Sequence, residues 1–257
     1  MPAPKKPAPP TSIQKWDEEM ARLATAAADI EKNVGGGSFL GTQGGILTYK
    51  STPVPNNNID VVVVHHIMEN SFYEGTFNPN NPQPPVCFAF GEDEDSMTPH
   101  EKATKPQHEN CKECPQNQWG SADVGRGKAC KNTRRIAIIT EADLTNSVPD
   151  AEVVYLRPPV TSVKGWAGYV KSLAETIHRP PLGVVTNISM APDPKTQFKV
   201  LFKLKHQIDD SEQIGALLEK RKSVAAEIDF PYLPMADAPP PAKANARQPA
   251  QRAKYAR

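Results

Sequence analysis

Apolar positions change their spacing along the chain, and each change predicts an element. Ile13, Trp16, Met20, Leu23, Ala27 and Ile30 recur at three- and four-residue steps, with Lys15, Glu18, Glu19, Arg22 and Asp29 between them. That spacing predicts an amphipathic helix capped by Ser12 and ended by Gly35-Gly36-Gly37. From residue 38 the rhythm tightens into strand-like segments at 46–50, 59–68 and 86–90, separated by Pro, Asn and Gly. A long polar stretch, 91–130, follows.

Regular patterning then returns. Strands are predicted at 135–140 and 152–157, and a helix at about 163–178 with Trp166, Val170, Leu173 and Ile177 inward, Thr161 or Ser162 as cap and Arg179-Pro180-Pro181 as stop. A hairpin at 182–190 and 197–205 turns at Pro192-Asp193-Pro194-Lys195. A last helix at about 211–227 starts beside Asp210 or Ser211 and presents Ile214, Leu217, Leu218 and Val224. Short strands, one helix before a final hairpin and many turn residues predict a mainly β (α+β) protein. The closest architecture is an OB-like antiparallel barrel with a metal-bearing insertion and flanking helices.

The predicted organisation is a Pro-rich disordered tail at 1–10, the helix and Gly linker at 11–37, the barrel domain at 38–230, and a disordered Pro/Ala-rich tail at 231–257. Residues 238–257 carry five basic residues and no acidic one.

Charge narrows the function. Among 257 residues, 30 Lys and Arg stand against 29 Asp and Glu, so a net charge of +1 excludes a uniformly basic coat for nucleic acid. Any polyanion site must be a local patch. No apolar run approaches the roughly 20 residues of a membrane span, and Met1-Pro-Ala-Pro-Lys-Lys lacks the apolar stretch of a signal peptide. The expected setting is cytoplasmic, with no membrane partner.

All four cysteines fall within residues 87–130, spaced C-x23-C-x2-C-x15-C. In a reducing compartment such a cluster reads as metal ligation. Cys111 and Cys114 form a knuckle that presents two thiolates to one ion, and Cys87 and Cys130 complete a tetrahedral set, with His100 and His108 as substitutes. One structural Zn2+ is the first reading; an iron–sulfur cluster on the same thiolates and unrelated buried thiols are the others.

Five basic residues, Arg126, Lys128, Lys131, Arg134 and Arg135, crowd into the ten positions from 126 to 135, among glycines. This is the local patch that the net charge left open. It is no phosphate-binding P-loop, because Ala122 and Ala129 stand where that motif needs Gly and Ser or Thr.

The run Pro85-Val86-Cys87-Phe88, then Cys111-x2-Cys114-Pro115-x-Asn117-x-Trp119-Gly120-Ser121, Gly125-x-Gly127-Lys128-Ala129-Cys130-Lys131 and Arg134-Arg135-Ile136 resembles zinc-containing single-stranded-DNA-binding proteins of tailed bacteriophages. The resemblance spans about residues 46–205. It implies an OB-like core, a structural zinc on Cys87, Cys111, Cys114 and Cys130, protection of single-stranded DNA in phage replication or recombination, and replication or recombination proteins as partners. The basic end of the chain departs from the acidic tail that often recruits partners in such proteins.

Other candidate DNA contacts are Lys199, Lys203 and Lys205 on one predicted strand face, with Phe198, Val200, Phe202 and Leu204 on the core face. Tyr155 and Arg157 share another face, and Trp119, Phe72, Tyr73 and Phe77 are candidates for base stacking. Each has an ordinary alternative: a solvated lysine face, a core tyrosine, or a tryptophan that anchors the cysteine loop. His65 and His66 follow four valines and should point to opposite faces as satisfied histidines, and Glu92-Asp93-Glu94-Asp95 reads as a solvated loop. No nucleophile motif and no paired acidic motif is present, so no enzyme is expected. The leading function is sequence-tolerant single-stranded DNA binding. The alternatives are a metal-stabilised regulatory or protein-interaction module, and an iron–sulfur nuclease or helicase accessory.

Overall fold

Val61, Val62, Val63 and Val64 stand in a row, and β-branched side chains favour an extended backbone. In a computed structural model, which describes residues 39–75 and 83–232 together with Trp16, Glu19, Met20, Arg22 and Leu23, these valines lie in the longest strand. From residue 39 the order is β1 (Thr48–Tyr49), β2 (Thr52–Pro53), β3 (Asn58–Phe72), β4 (Cys87–Gly91), β5 (Lys131–Thr140), α1 (Glu141–Asn146), β6 (Val154–Leu156), α2 (Val160–Thr176), β7 (Val184–Asp193), β8 (Gln197–Gln207) and α3 (Ser211–Ala225).

β1 and β2 form a small hairpin, and the other strands make one antiparallel sheet in the order β6-β5-β3-β7-β8, with β4 also paired to β3. The sheet is open. Its ends are β6 and β8, so the expected barrel closure is not seen and the architecture is corrected to a mixed α/β protein built on an antiparallel sheet.

The valine run is continuous because both faces of the sheet are covered. Val61, Val63, Ile136, Ile138, Leu156 and Ile188 meet Trp166 of α2 on one face. Val62, Ile139, Val185 and Leu182 meet Leu217 and Val224 of α3 on the other. Alternation along β3 thus sends successive valines into two cores. A bulge at Val64 then resets the parity, so that His65 pairs across from Ala137 and His66 from Ile136. The two imidazoles, expected on opposite faces, lie 6.4 Å apart between ring centres and line one cleft, and His66 turns edge-on to Trp166 at 5.2 Å.

Local chemistry explains the helix starts. Asp210 caps α3 by accepting from the backbone N–H groups of Glu212 and Gln213. Thr140 and Asp143 form a reciprocal capping box that opens α1, a helix the sequence pattern had not announced. α2 instead starts after Pro159 without a side-chain cap, and the expected cap Ser162 lies inside it, buried, with its hydroxyl accepting from Val200 N–H at 3.0 Å. Two apolar assignments also change. Leu218 is 48% exposed on α3, and Leu204 is exposed where β8, an edge strand, passes the irregularity in its pairing with β7.

The described residues from 39 to 232 belong to one compact unit. Trp16, Met20 and Leu23 are helical and exposed, while the rest of the predicted 11–37 segment, the 1–10 tail, Phe77 and residues 233–257 lie outside the described residues. Among the described residues no helix is long and apolar enough to cross a membrane.

Candidate nucleic-acid interface

Two strands deliver cysteines to one end of the sheet. Cys87 opens β4 opposite Phe72, and Cys130 immediately precedes β5, whose Lys131 lies opposite Ser71. The chain between them must return to the same place, and it does. Cys111 N–H donates to the Met97 carbonyl at 2.9 Å, and Cys130 N–H to the Gln116 carbonyl at 2.8 Å. Met97 packs with Ala89, Cys111 and Met68 in a small apolar cluster that ties the loop to the sheet.

The loop has little regular structure but few idle polar groups. Asn117 donates to the Cys111 carbonyl at 2.6 Å, Gln118 to those of Lys112 and Cys114, and the Ser121 hydroxyl accepts from Ala129 N–H at 2.9 Å. Gly120 and Gly125 adopt φ of 88° and 82°, where an L side chain would be strained. These contacts explain how a stretch of about 40 residues keeps a defined path with only one short 3-10 turn, Pro115–Asn117.

Cys87, Cys111, Cys114 and Cys130 all line one cavity of about 20 Å³, together with Asn70, Phe72 and His108. All four thiols are free, and room for one water-sized sphere is also room for a metal ion. Burial pushes the Cys87 and Cys111 thiols up, and pushes Cys130 up to about 12, with the neighbouring sulfurs adding to the effect. Burial is the first cause at each of these three thiols, and Lys128 partly offsets it at Cys130. Among the described residues no group of three or more His, Cys, Asp and Glu side chains meets the spacing of a metal site. The four cysteines thus share one cavity without the spacing of a metal site. His100 stacks on Phe88 at 5.1 Å and does not line the cavity.

The outer side of the loop carries the exposed basic and aromatic groups. Trp119 is 80% exposed, so it is not the loop's apolar anchor, and Lys128 Nζ lies 6.0 Å from its ring centre. Lys128 also donates to Asn117 at 3.3 Å and Lys131 to the Lys128 carbonyl at 3.3 Å, while Arg126 is exposed. Arg134 is half-buried.

Arg135 is corrected. It is 1% exposed and its guanidinium donates to Glu69, itself fully buried, at 2.8 Å. It also donates to the Ile228 and Phe230 carbonyls, and lies 4.1 Å from the ring centres of both Phe90 and Phe230. A carboxylate and an arginine both lodged in the core must satisfy each other, so this charge is spent inside the fold.

The same carboxylate draws in two more candidates, Arg157 and Tyr73. Arg157 lies 3.2 Å from Glu69 and donates to the hydroxyls of Tyr73, at 2.9 Å, and Tyr232, and Tyr232 in turn donates to Glu69. Tyr155 packs between Phe39 and Phe230. Phe72 is half-buried at the cysteine cavity. Tyr73 and Arg157 therefore belong to the Glu69 network, and Tyr155 to aromatic packing with Phe39 and Phe230. Of the three strand lysines, Lys199 pairs with Asp193, and Lys205 bridges Asp60 at 2.9 Å and Glu141 at 2.6 Å. Lys203 is exposed and has no ion-pair partner among the described residues.

A second concavity had no announcing motif. A cleft of about 440 Å³ beside the Val64 bulge is lined by His65, His66, Glu92, Arg134 and Arg221, residues drawn from four separate stretches of chain. His65-His66, Glu92 and Arg134 stood out separately in the sequence, while Arg221 and the meeting of all five did not. No protein-family model, curated protein or solved structure matches the chain.

Proposed function

We propose that the protein binds single-stranded DNA without strong base preference, through the outer side of the cysteine loop. One observation carries this reading: an indole 80% exposed to solvent on a cross-anchored loop, with Lys128 Nζ 6.0 Å from its ring centre and exposed Arg126 and Lys131 close to Lys128 in the chain. An aromatic face stacks on any base, and nearby fixed cations neutralise the backbone. A single strand offers unstacked bases to such a platform, and a duplex does not.

In this reading Cys87, Cys111, Cys114 and Cys130 hold one structural Zn2+, which orders the loop and takes no part in turnover. The resemblance to phage single-stranded-DNA-binding proteins supports the same assignment and adds a role in phage replication or recombination. A second reading, docking of another protein, is favoured by Val124, 89% exposed on the same loop as Trp119.

Fluorescence titration separates them. Oligothymidylate should quench tryptophan emission, bind more tightly than a duplex of equal length and weaken as salt rises, and Trp119→Ala should remove the quenching. Equal affinity for duplex, or binding indifferent to salt, rejects strand binding and favours the docking surface.

A further inference from the structure

Along one edge of β3, β7 pairs with Asn58–Val62 and β4 with Met68–Phe72. Among the described residues nothing pairs with 63–67 on that edge, so the sheet has a notch five residues long. β5 runs along the opposite edge, and the bulge at Val64 of β3 shifts its register there. The 440 Å³ cleft lies at this notch.

Its lining is cationic. Arg134 reaches in from β5 and Arg221 from α3, and no carboxylate among the described residues lies within ion-pair distance of either. Arg134 donates to its neighbour's carbonyl, Thr133 O, at 2.8 Å, which leaves donors of its guanidinium open. Glu92 is the acid on the rim, and its carboxylate lies 3.1 Å from His65 Nε2; Glu94 is the other acid near Arg134. The remaining wall is the turn Pro180-Pro181-Leu182, with the His66 imidazole nearby.

We propose that this notch binds a nucleotide, with Arg134 and Arg221 taking its phosphate. The cleft is far larger than a phosphate ion and falls in the size range of small-molecule sites. Two guanidiniums without carboxylates suit a phosphate, since each offers forked N–H donors. The proline and imidazole surfaces suit a flat base, and the unpaired stretch of β3 has backbone donors and acceptors to meet its edge. The phosphate could belong to a free mononucleotide or to a strand, and the notch reading holds whether or not the cysteine loop binds DNA.

The test uses the full chain and follows the His65 and His66 imidazole resonances during titration with thymidine 5′-monophosphate, thymidine or oligothymidylate. The monophosphate should shift both resonances, with affinity at least tenfold above that of thymidine. Arg134→Gln and Arg221→Gln should each weaken it by about tenfold, the scale of a lost charge-assisted hydrogen bond. Glu92→Gln, which removes the rim's negative charge, should strengthen it. Arg221 is exposed on a helix, so its variant keeps the test open should Arg134→Gln fail to fold.

Competition by oligothymidylate that Arg221→Gln weakens assigns the phosphate to a strand; monophosphate binding without such competition assigns it to a free nucleotide. Unmoved histidine resonances, or wild-type affinity in both arginine variants, overturn the notch. Oligothymidylate binding that needs Trp119 but neither arginine removes the notch and leaves the loop reading intact. Monophosphate binding with no strand binding does the reverse.

Discussion

At the scale of single residues, burial decides which charges are available. Arg135 sits one position from Arg134 and is indistinguishable from it in a list of basic residues, yet β alternation sends one to the cleft and the other into the core. Arg135→Ala would leave Glu69 short of a partner and two carbonyls without a donor. The expected cost is about 3–5 kcal/mol, a fall of roughly 10 °C in Tm for a unit of this size, measurable by thermal denaturation. A variant as stable as the wild type would show that the pair is dispensable. His66 makes a second, opposite kind of contribution. Burial, reinforced by His65 and Arg134, lowers its pKa to about 4. The unfolded chain takes up that proton near pH 6.5, so between the two values the unfolded state holds more protons and stability rises with pH. The contribution is complete above pH 6.5 and is lost as pH falls towards 4. His65 is shifted in the same direction, and His206, raised by the Gln207 carbonyl and Glu141, has the opposite sign. Urea denaturation at pH 7 and pH 4.5 should show His66→Phe losing about 2–3 kcal/mol less than the wild type on acidification. Parallel losses would rule out His66 as the source.

At the scale of elements, periodicity made most strands and both long helices legible, because each buries one regular face. The hairpin around Asp193 was legible for a different reason: its carboxylate accepts from Lys195 N–H, Thr196 N–H and the Thr196 hydroxyl, the local bond that makes Asp a turn residue. α1 was missed because six residues carry too little periodicity, although its capping pair, Thr140 and Asp143, was there to be read. The bulge at Val64 was invisible, since four valines in a row contain no mark of where pairing slips. The cysteine loop shows both sides. Its spacing announced that the thiols would meet, while the exposure of Trp119 depended on Met97 and Cys111 taking the anchoring role. For this loop the expected outcome is one zinc per chain by elemental analysis; iron with visible absorbance would overturn the assignment. Because metal binding to such a loop is folding free energy, Cys114→Ser or a strong chelator should speed amide exchange across 92–130 while β3, β5 and β7 stay protected. Uniform loss of protection would mean that the loop and the sheet fold as one unit.

At the scale of the whole molecule, the question is where affinity for a strand originates in a chain of net charge +1. Open-sheet topology was not legible in the sequence, because closure depends on whether edge strands meet in space, and that leaves no local pattern. What the fold adds is a division of the cations. Arg126, Lys128 and Lys131 ride on a loop held by its own hydrogen bonds, so little further ordering is needed when they meet phosphate. The five basic residues of 238–257 lie among alanines and prolines with no acidic residue to pair them. Under the strand-binding reading, each phosphate contact contributes about −0.7 to the slope of log K against log salt, so three loop cations give a slope of about −2. Deleting 238–257 should lower affinity modestly and leave a slope near that value and the Trp119 quenching in place. Replacing Arg126 and Lys128 together by alanine should cut the slope by more than half and weaken binding at low salt by about tenfold or more, since fixed cations next to the stacking ring are lost. The two variants, titrated with the same oligothymidylate across a salt series, give opposite results if the tail is the true source. Abolished binding in the truncation, with normal binding in the double variant, would move the DNA site off the sheet domain and leave the cysteine loop as a surface for another protein.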